Sequence, residues 1–266
     1  MIKLIVTDID GTILRRDFKF NQEVKDCISD LTKRGIKVVL VTGRMHSCTE
    51  FIAEELKLDT PIVSYQGGFI KYQDEILYNK TVNPKSAKEI INWARENNIH
   101  INIYLDDELY VEQDNDTIKK YAQERKAEYK VASFDSLNLE NINKLLIIDY
   151  SNPDIVTEYK NYLSEKYPEL NFVKSMPFFC EVCNKEATKK NAVEYLKKLW
   201  NIKTEEVMAS GDQNNDLSLL DSAGIKIAMG NATDELKAVA TYVTDTVENN
   251  GFVKAVERFV YNNGKN

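Results

Sequence analysis

The stretch Thr7-Asp8-Ile9-Asp10-Gly11-Thr12-Ile13, TDIDGTI, follows directly on the apolar run at residues 2–6. Apolar but for Lys3, such a run reads as a strand buried on both faces of a parallel sheet. It ends in two acids two residues apart, then a glycine and a threonine. Asp and Gly are ordinary turn residues, since Asp bonds its own backbone and Gly accepts a positive φ. Two repelling carboxylates at a strand's end are also what a metal site or acid–base chemistry requires, so the rest of the chain must decide.

Outward from this stretch the chain alternates strand and helix. Residues 21–34 have helical spacing and stop at Gly35, residues 36–43 form a second apolar run, 45–58 read as a helix and 62–65 as a third strand. The pattern resumes late, with a helix at 189–200, a strand at 205–212, a helix at 214–223, a strand at 225–230, a helix at 232–240, a short strand at 241–244 and a last helix at 251–260. Strand–helix repetition predicts a parallel sheet with helices on its faces. The middle differs: INIYLDDELYVEQ alternates around Asp106-Asp107, which predicts an antiparallel hairpin with one wet face. Further strands at 144–150 and 172–183 are separated by helices at 117–128 and 154–166. The expected fold is α/β: a Rossmann-like parallel-sheet core with helices on both faces (residues 1–82 and 187–266), interrupted by an inserted α+β cap domain (residues 83–186).

The chain has 266 residues, 43% of them hydrophobic, and a formal net charge of -7. That composition carries a real core and argues against a sequence-independent nucleic-acid binder. No window reaches a membrane-spanning length, so no membrane partner is expected and a cytoplasmic protein is, as a monomer or weak homo-oligomer. Cys180 and Cys183 form a lone C-x-x-C, and the only histidines, His46 and His100, lie far off in sequence. Alternating strand residues explain the pair better than zinc or redox chemistry.

Ligands of parallel sheets bind beyond the carboxyl ends of the strands. Three such ends are polar here: Asp8 to Thr12, Thr42-Gly43-Arg44, and GDQNND at 211–216. If the strands are neighbours, Asp8, Asp10 and Asp212 converge, and hard oxygen ligands at that density fit Mg²⁺. Thr42 and Gly43 offer a hydroxyl and backbone N–H groups to an anion, and Lys189 opens a helix where it supplies a cation. Arg44 suits either a substrate contact or a surface ion pair. DQNNDL imitates an EF-hand start, but Leu217 and Ala223 stand where that loop needs Gly and Glu. P-loop, dinucleotide-binding and nucleophile-elbow signatures are absent from the sequence.

DIDGT, VVLVTGR, the lysine opening a later helix and GDQNND resemble the four motifs of the haloacid dehalogenase superfamily, in order and across nearly the whole chain. MGNATDELKAVATYVT with NNGFVKAVE resembles the tail of its Cof-like branch, and the insert is similar to that branch's C2 cap. The resemblance implies a Mg²⁺-dependent phosphatase of small phosphorylated metabolites, sugar phosphates first. Asp8 would be the nucleophile that forms an aspartyl-phosphate, and Asp10 the acid and then the base. Asp8, Asp212 and the Asp10 carbonyl would hold the metal. Thr42, Gly43, Lys189, Asn215 and the Ile9 backbone would hold the phosphate, with Asp216 orienting the metal shell or Lys189. The cap would close over the site and select the leaving group. The family usually has Gly at the position of Lys190 and Asn-Gly at Gln66-Gly67, so finer substrate contacts differ here. A phosphotransferase or mutase using the same nucleophile, and a non-catalytic phosphometabolite-binding module, are the rival expectations.

Overall fold

A computed structural model describes residues 1–262 and divides them between two compact units: residues 1–78 with 188–262, and residues 79–187. The first unit begins with β1 (Leu4–Thr7), α1 (Gln22–Lys33), β2 (Lys37–Leu40), α2 (Ser47–Glu55), β3 (Ile62–Ser64), β4 (Phe69–Tyr72) and β5 (Glu75–Asn79). The inserted unit holds α3 (Pro84–Glu96), β6 (His100–Leu105), β7 (Glu108–Val111), α4 (Asp116–Arg125), β8 (Lys130–Val131), β9 (Ile142–Ile148), α5 (Pro153–Lys166), β10 (Leu170–Met176) and β11 (Phe179–Asn184). The chain then returns with α6 (Lys189–Trp200), β12 (Val207–Gly211), α7 (Leu217–Leu220), β13 (Ile225–Ala228), α8 (Asp234–Val239), β14 (Tyr242–Val243) and α9 (Gly251–Val256).

The first unit is built on a parallel sheet of order β14-β13-β12-β1-β2. Successive side chains of a strand face opposite sides, and here both sides are covered. Ile5, Val38, Leu40, Met208 and Ile227 pack with α1 and α9, while Leu4, Val6, Val39, Val207 and Ala209 pack with α6, α7 and α8. That is why residues 2–6 and 36–41 read as apolar runs, each interrupted only by a lysine near its start, Lys3 and Lys37. β1 lies in the interior of the sheet, in register with Lys37 on one side and Val207 on the other, so its carboxyl end is flanked by those of β2 and β12.

The inserted unit carries a mixed sheet of order β10-β11-β9-β6-β7-β8, antiparallel except for β7 and β8. Asp106 and Asp107 both take a positive φ (52° and 59°), the backbone of a two-residue hairpin turn. One face packs α3 and α5 through Ile101, Ile103, Leu145, Ile147, Cys180 and Val182. The other face is not wet, contrary to the expectation from the alternation. Asn102, Tyr104, Lys144 and Glu181 are all buried. α4 sets Tyr121 against this face, with its hydroxyl 2.6 Å from that of Tyr104 and its ring on Phe179. Polar letters in this strand mark an interior polar layer, not solvent.

Cys180 and Cys183 lie in one strand at a spacing of three, so they point to opposite faces. Both are buried free thiols, and burial pushes Cys180 up to about 12 and Cys183 higher still. No helix among the described residues is long and apolar enough to cross a membrane.

Candidate active site

The site is assembled at the carboxyl ends of β1, β2 and β12. At the end of β1 the Asp8 N–H donates to the Ser210 carbonyl (2.9 Å). A buried hydroxyl chain, Ser210 to Thr7 to the Asp8 carbonyl at 2.8 Å each, ties the two strand ends together. The Ile9 carbonyl then collects the N–H groups of Thr12, Ile13 and Leu14, which closes the turn. Gly11 sits in that turn at φ 80°, and a Cβ there would lie 2.4 Å from Asp212 Oδ2. Both the backbone and the approach of Asp212 require glycine.

Asp8, Asp212 and Asp216 bring carboxylate oxygens within 4.8 Å of one another, all buried. Lys189, the first residue of α6, is buried among them and donates to Asp8 Oδ1 (2.6 Å) and Asp216 Oδ1 (2.5 Å). Thr188 caps that helix by accepting the Asn191 N–H (3.1 Å). Of the neighbouring lysines, Lys190 is exposed against Asp221 and Lys185 donates to the Pro168 carbonyl. Asp216 Oδ2 accepts the N–H groups of Asp212 (3.0 Å) and Gln213 (3.1 Å), so this acid holds both the lysine and the backbone of its own loop. Asp212 accepts from Thr12 (3.3 Å) and Gln213 (3.0 Å).

One ammonium faces three carboxylates. Burial drives the Asp8 carboxyl well above the ordinary carboxylate range; Asp216 pushes the same way, and Lys189 pulls back without prevailing. Burial, then Asp216, pushes Asp212 up to about 7. Burial works against the charge on Lys189, but Asp216 and Asp8 hold it above its ordinary value. The donor set fits a hard divalent cation, since buried carboxylate oxygens in excess of their counter-charges are what such an ion takes.

Thr42, Gly43 and Arg44 follow β2. Thr42 is buried, and its hydroxyl oxygen accepts the Arg44 N–H (3.1 Å). Its carbonyl accepts the N–H of Gln66 (3.1 Å), and Gln66 Oε1 accepts from Asn215 (3.2 Å). Gln66 thus joins the Thr42 loop to the 212–216 loop. The strain is local: Tyr65, Gln66 and Gly67 all have positive φ (52°, 58° and 94°). For the two non-glycine residues this costs about 1–3 kcal/mol each, and such strain concentrates at functional sites. A Cβ at Gly67 would lie 2.2 Å from the Thr188 carbonyl oxygen, beside Lys189.

The Asp10 side chain stands outside the buried trio. Its carboxylate is 43% exposed and takes two hydrogen bonds from Arg44, Nε to Oδ2 at 2.7 Å and Nη2 to Oδ1 at 2.6 Å. Sequence reasoning missed Gln66 as a bridge, and Thr12, Gln213 and Asn231 as partners of Asp212. Asn231 donates to the Gly11 carbonyl (2.9 Å) and approaches Asp212 Oδ2 at 3.5 Å, while its own oxygen accepts the Val247 N–H (3.0 Å). The signal for it was the MGNA stretch, which carries an asparagine just past a strand end.

Residues 5–256 match the family model of haloacid dehalogenase-like hydrolases. The chain belongs to that family. Among its relatives is a putative phosphatase of Haemophilus influenzae, 29% identical over 261 residues that cover 97% of this chain and 98% of the relative. Another is the 5-amino-6-(5-phospho-D-ribitylamino)uracil phosphatase YwtE of Bacillus subtilis, 27% identical, with 97% of this chain and 98% of the relative covered. The crystal structure of TM0651 from Thermotoga maritima superposes with a TM-score of 0.86 at 32% identity, covering 97% of each chain. Among haloacid dehalogenase-like hydrolases the present chain is thus similar to its relatives over both units.

Proposed function

We propose that this phosphoric monoester hydrolase is a Mg²⁺-dependent phosphatase of small phosphorylated metabolites that works through an aspartyl-phosphate on Asp8. The observation that carries the reading is the buried trio Asp8, Asp212 and Asp216 with a single ammonium, Lys189, among them. In this reading an Asp8 oxygen attacks phosphorus, the bond to the leaving oxygen breaks, and Asp10 gives that oxygen its proton. Water then attacks the aspartyl-phosphate, Asp10 takes its proton, and the bond from phosphorus to Asp8 breaks to release phosphate. Asp8, Asp212 and the Asp10 carbonyl would hold Mg²⁺, which when bound supplies a Lewis acid that offsets the charge of the phosphoryl oxygens. The Ile9 N–H, Thr42, Gly43, Lys189 and Asn215 would grip the phosphate, and Asp216 keeps Lys189 in place. The residues inserted at 83–186 would choose the leaving group, as a cap. Sugar and polyol phosphates are the proposed substrate class, supported by the name of the relative YwtE, whose substrate carries a phosphorylated ribityl chain.

The test is phosphate release from a panel of sugar, polyol and nucleotide phosphates, with Mg²⁺ and with EDTA, for wild type and Asp8→Asn. Release that needs Mg²⁺ and disappears in Asp8→Asn is expected. Release that survives the substitution would refute the nucleophile, and no release from any ester would refute the reading.

A further inference from the structure

Resting on the reading above, we propose that Arg44 is a positioning residue for Asp10, a fixed bracket that registers the acid–base carboxylate to the phosphate-gripping loop, rather than a residue that grips substrate. Its contacts support the first role. Both donors of one edge of the guanidinium, Nε and Nη2, are spent on Asp10 at 2.7 and 2.6 Å, the bidentate geometry that fixes a carboxylate in plane and direction. On its other sides the guanidinium has Nη1 3.5 Å from the Cys48 carbonyl oxygen and the ring of Phe18 5.8 Å from Cζ, while the Arg44 backbone N–H, apart from the guanidinium, donates to the Thr42 hydroxyl oxygen. Phe18 reaches this position from a left-handed backbone, φ 59°.

The pair is asymmetric. The Arg44 side chain is 17% exposed and the Asp10 side chain 43%. The held partner is therefore the arginine, and the carboxylate is the member free to depart by rotation of a short side chain. A carboxyl group with both oxygens on a guanidinium cannot hand a proton to a leaving oxygen. Turnover then requires Asp10 to leave the bracket and return, and Arg44 fixes where that movement starts. Because Arg44 directly follows Thr42 and Gly43, that starting point is measured from the phosphate loop.

The experiment uses wild type, Arg44→Gln, Arg44→Lys, Asp10→Asn and the double variant Arg44→Gln/Asp10→Asn. The probes are p-nitrophenyl, phenyl and benzyl phosphate with Mg²⁺, esters of increasingly basic leaving groups. Single-turnover release of the alcohol isolates the step in which Asp8 attacks. Arg44→Gln is expected to slow benzyl phosphate by roughly ten- to a hundredfold, the scale of a misplaced catalytic group, and to leave p-nitrophenyl phosphate within about threefold. Arg44→Lys, which keeps the charge but not the planar fork, should fall between. In the Asp10→Asn background the loss of Arg44 should cost little more, since coupled residues are not additive.

A uniform rise of KM for all three esters, additive with Asp10→Asn, would overturn the proposal and make Arg44 a phosphate contact. Faster turnover in Arg44→Gln would overturn it too, since the pair would then only restrain Asp10. Thermal melting of each variant separates either result from misfolding. If wild type released no alcohol, or Asp8→Asn released it as fast, the phosphatase reading itself would have failed, and Arg44 would not be the cause.

Discussion

Two buried lysines in this molecule have opposite surroundings. Lys144, in the sheet of the inserted unit, faces one carboxylate, Glu181, at 3.3 Å, and its ammonium lies 4.5 Å from the centre of the Tyr104 ring. Burial weighs against its charge, yet Glu181 holds it above its ordinary value. Lys189, in the first unit, shares its surroundings with three acids, two of which it bonds. Both lysines are almost wholly buried. The first site is balanced in charge and the second is not. Burial of charge alone does not mark a functional site; an unbalanced set does, because something absent from the chain must restore the balance.

Breaking the unbalanced set should show in chemistry. Asp8→Asn is expected to lower turnover by roughly 10⁴-fold or more while the far-UV spectrum and melting stay native, as measured by phosphate release and circular dichroism. Breaking the balanced pair should show in stability. Lys144→Met removes the ion-pair partner of the buried Glu181 and is expected to cost about 3–5 kcal/mol in urea denaturation, with most of that regained in Lys144→Met/Glu181→Leu.

The next effect sharpens the comparison through pH. Asp8 and Asp212 have folded-state values above those of the unfolded chain, so folding without metal takes up protons from about pH 4 upward, for Asp212 as far as about 7. Stability in EDTA should therefore fall as pH rises through that window, by at most about 1.4 kcal/mol per pH unit for each group. Asp212→Asn should flatten part of that slope, and Lys144→Met should not. Mg²⁺ should raise the melting temperature more at pH 8 than at pH 5, where protons compete for the same oxygens. The smallest effect concerns the thiols. Cys27, Cys180 and Cys183 are buried and shifted upward, so iodoacetamide at pH 8 should leave them unmodified until the protein is denatured, as read by mass spectrometry.

Much of the first unit was legible because its physics is local and repetitive. Strands covered on both faces are apolar over most of their length, and polar stretches at 8–12, 42–44 and 212–216 follow β1, β2 and β12 closely. Lys189 to Trp200 was readable as a helix to the residue. Three features were not readable. The hairpin of β4 and β5 lies in FIKYQDEILYN, whose turn at Gln73 (φ 53°) lacks the glycine or asparagine that usually announces one. α3 is the exception among the three, since its start is written in the sequence, with Asn83 as its cap and Pro84 as its first residue. The expected helix at 214–223 is a 3₁₀ turn followed by one short helix, because Asp216 spends its side chain on the 212–213 backbone and on Lys189. At the strand ends, the gathering of Asp8, Asp212 and Lys189 matches the expectation, and the place of the Asp10 side chain does not. The trio contains Asp216, and the Asp10 side chain lies with Arg44, since the facing of a side chain depends on partners from other elements: Lys189 for Asp216 and Arg44 for Asp10.

β1 pairs with β2, about thirty residues downstream, and with β12, about two hundred downstream. On a ribosome adding about 5–20 residues per second, roughly 10–40 s separate the appearance of Asp8 from that of Asp212. For most of that interval, once β2 has followed, the nascent chain carries a largely apolar strand with one neighbour in place and the other edge open. The residues at 79–187 are contiguous and can complete their own sheet in the meantime. Any product that stops short of residue 207 is thus more than an inactive enzyme: it displays the sort of open edge that chaperones shield and proteases clear.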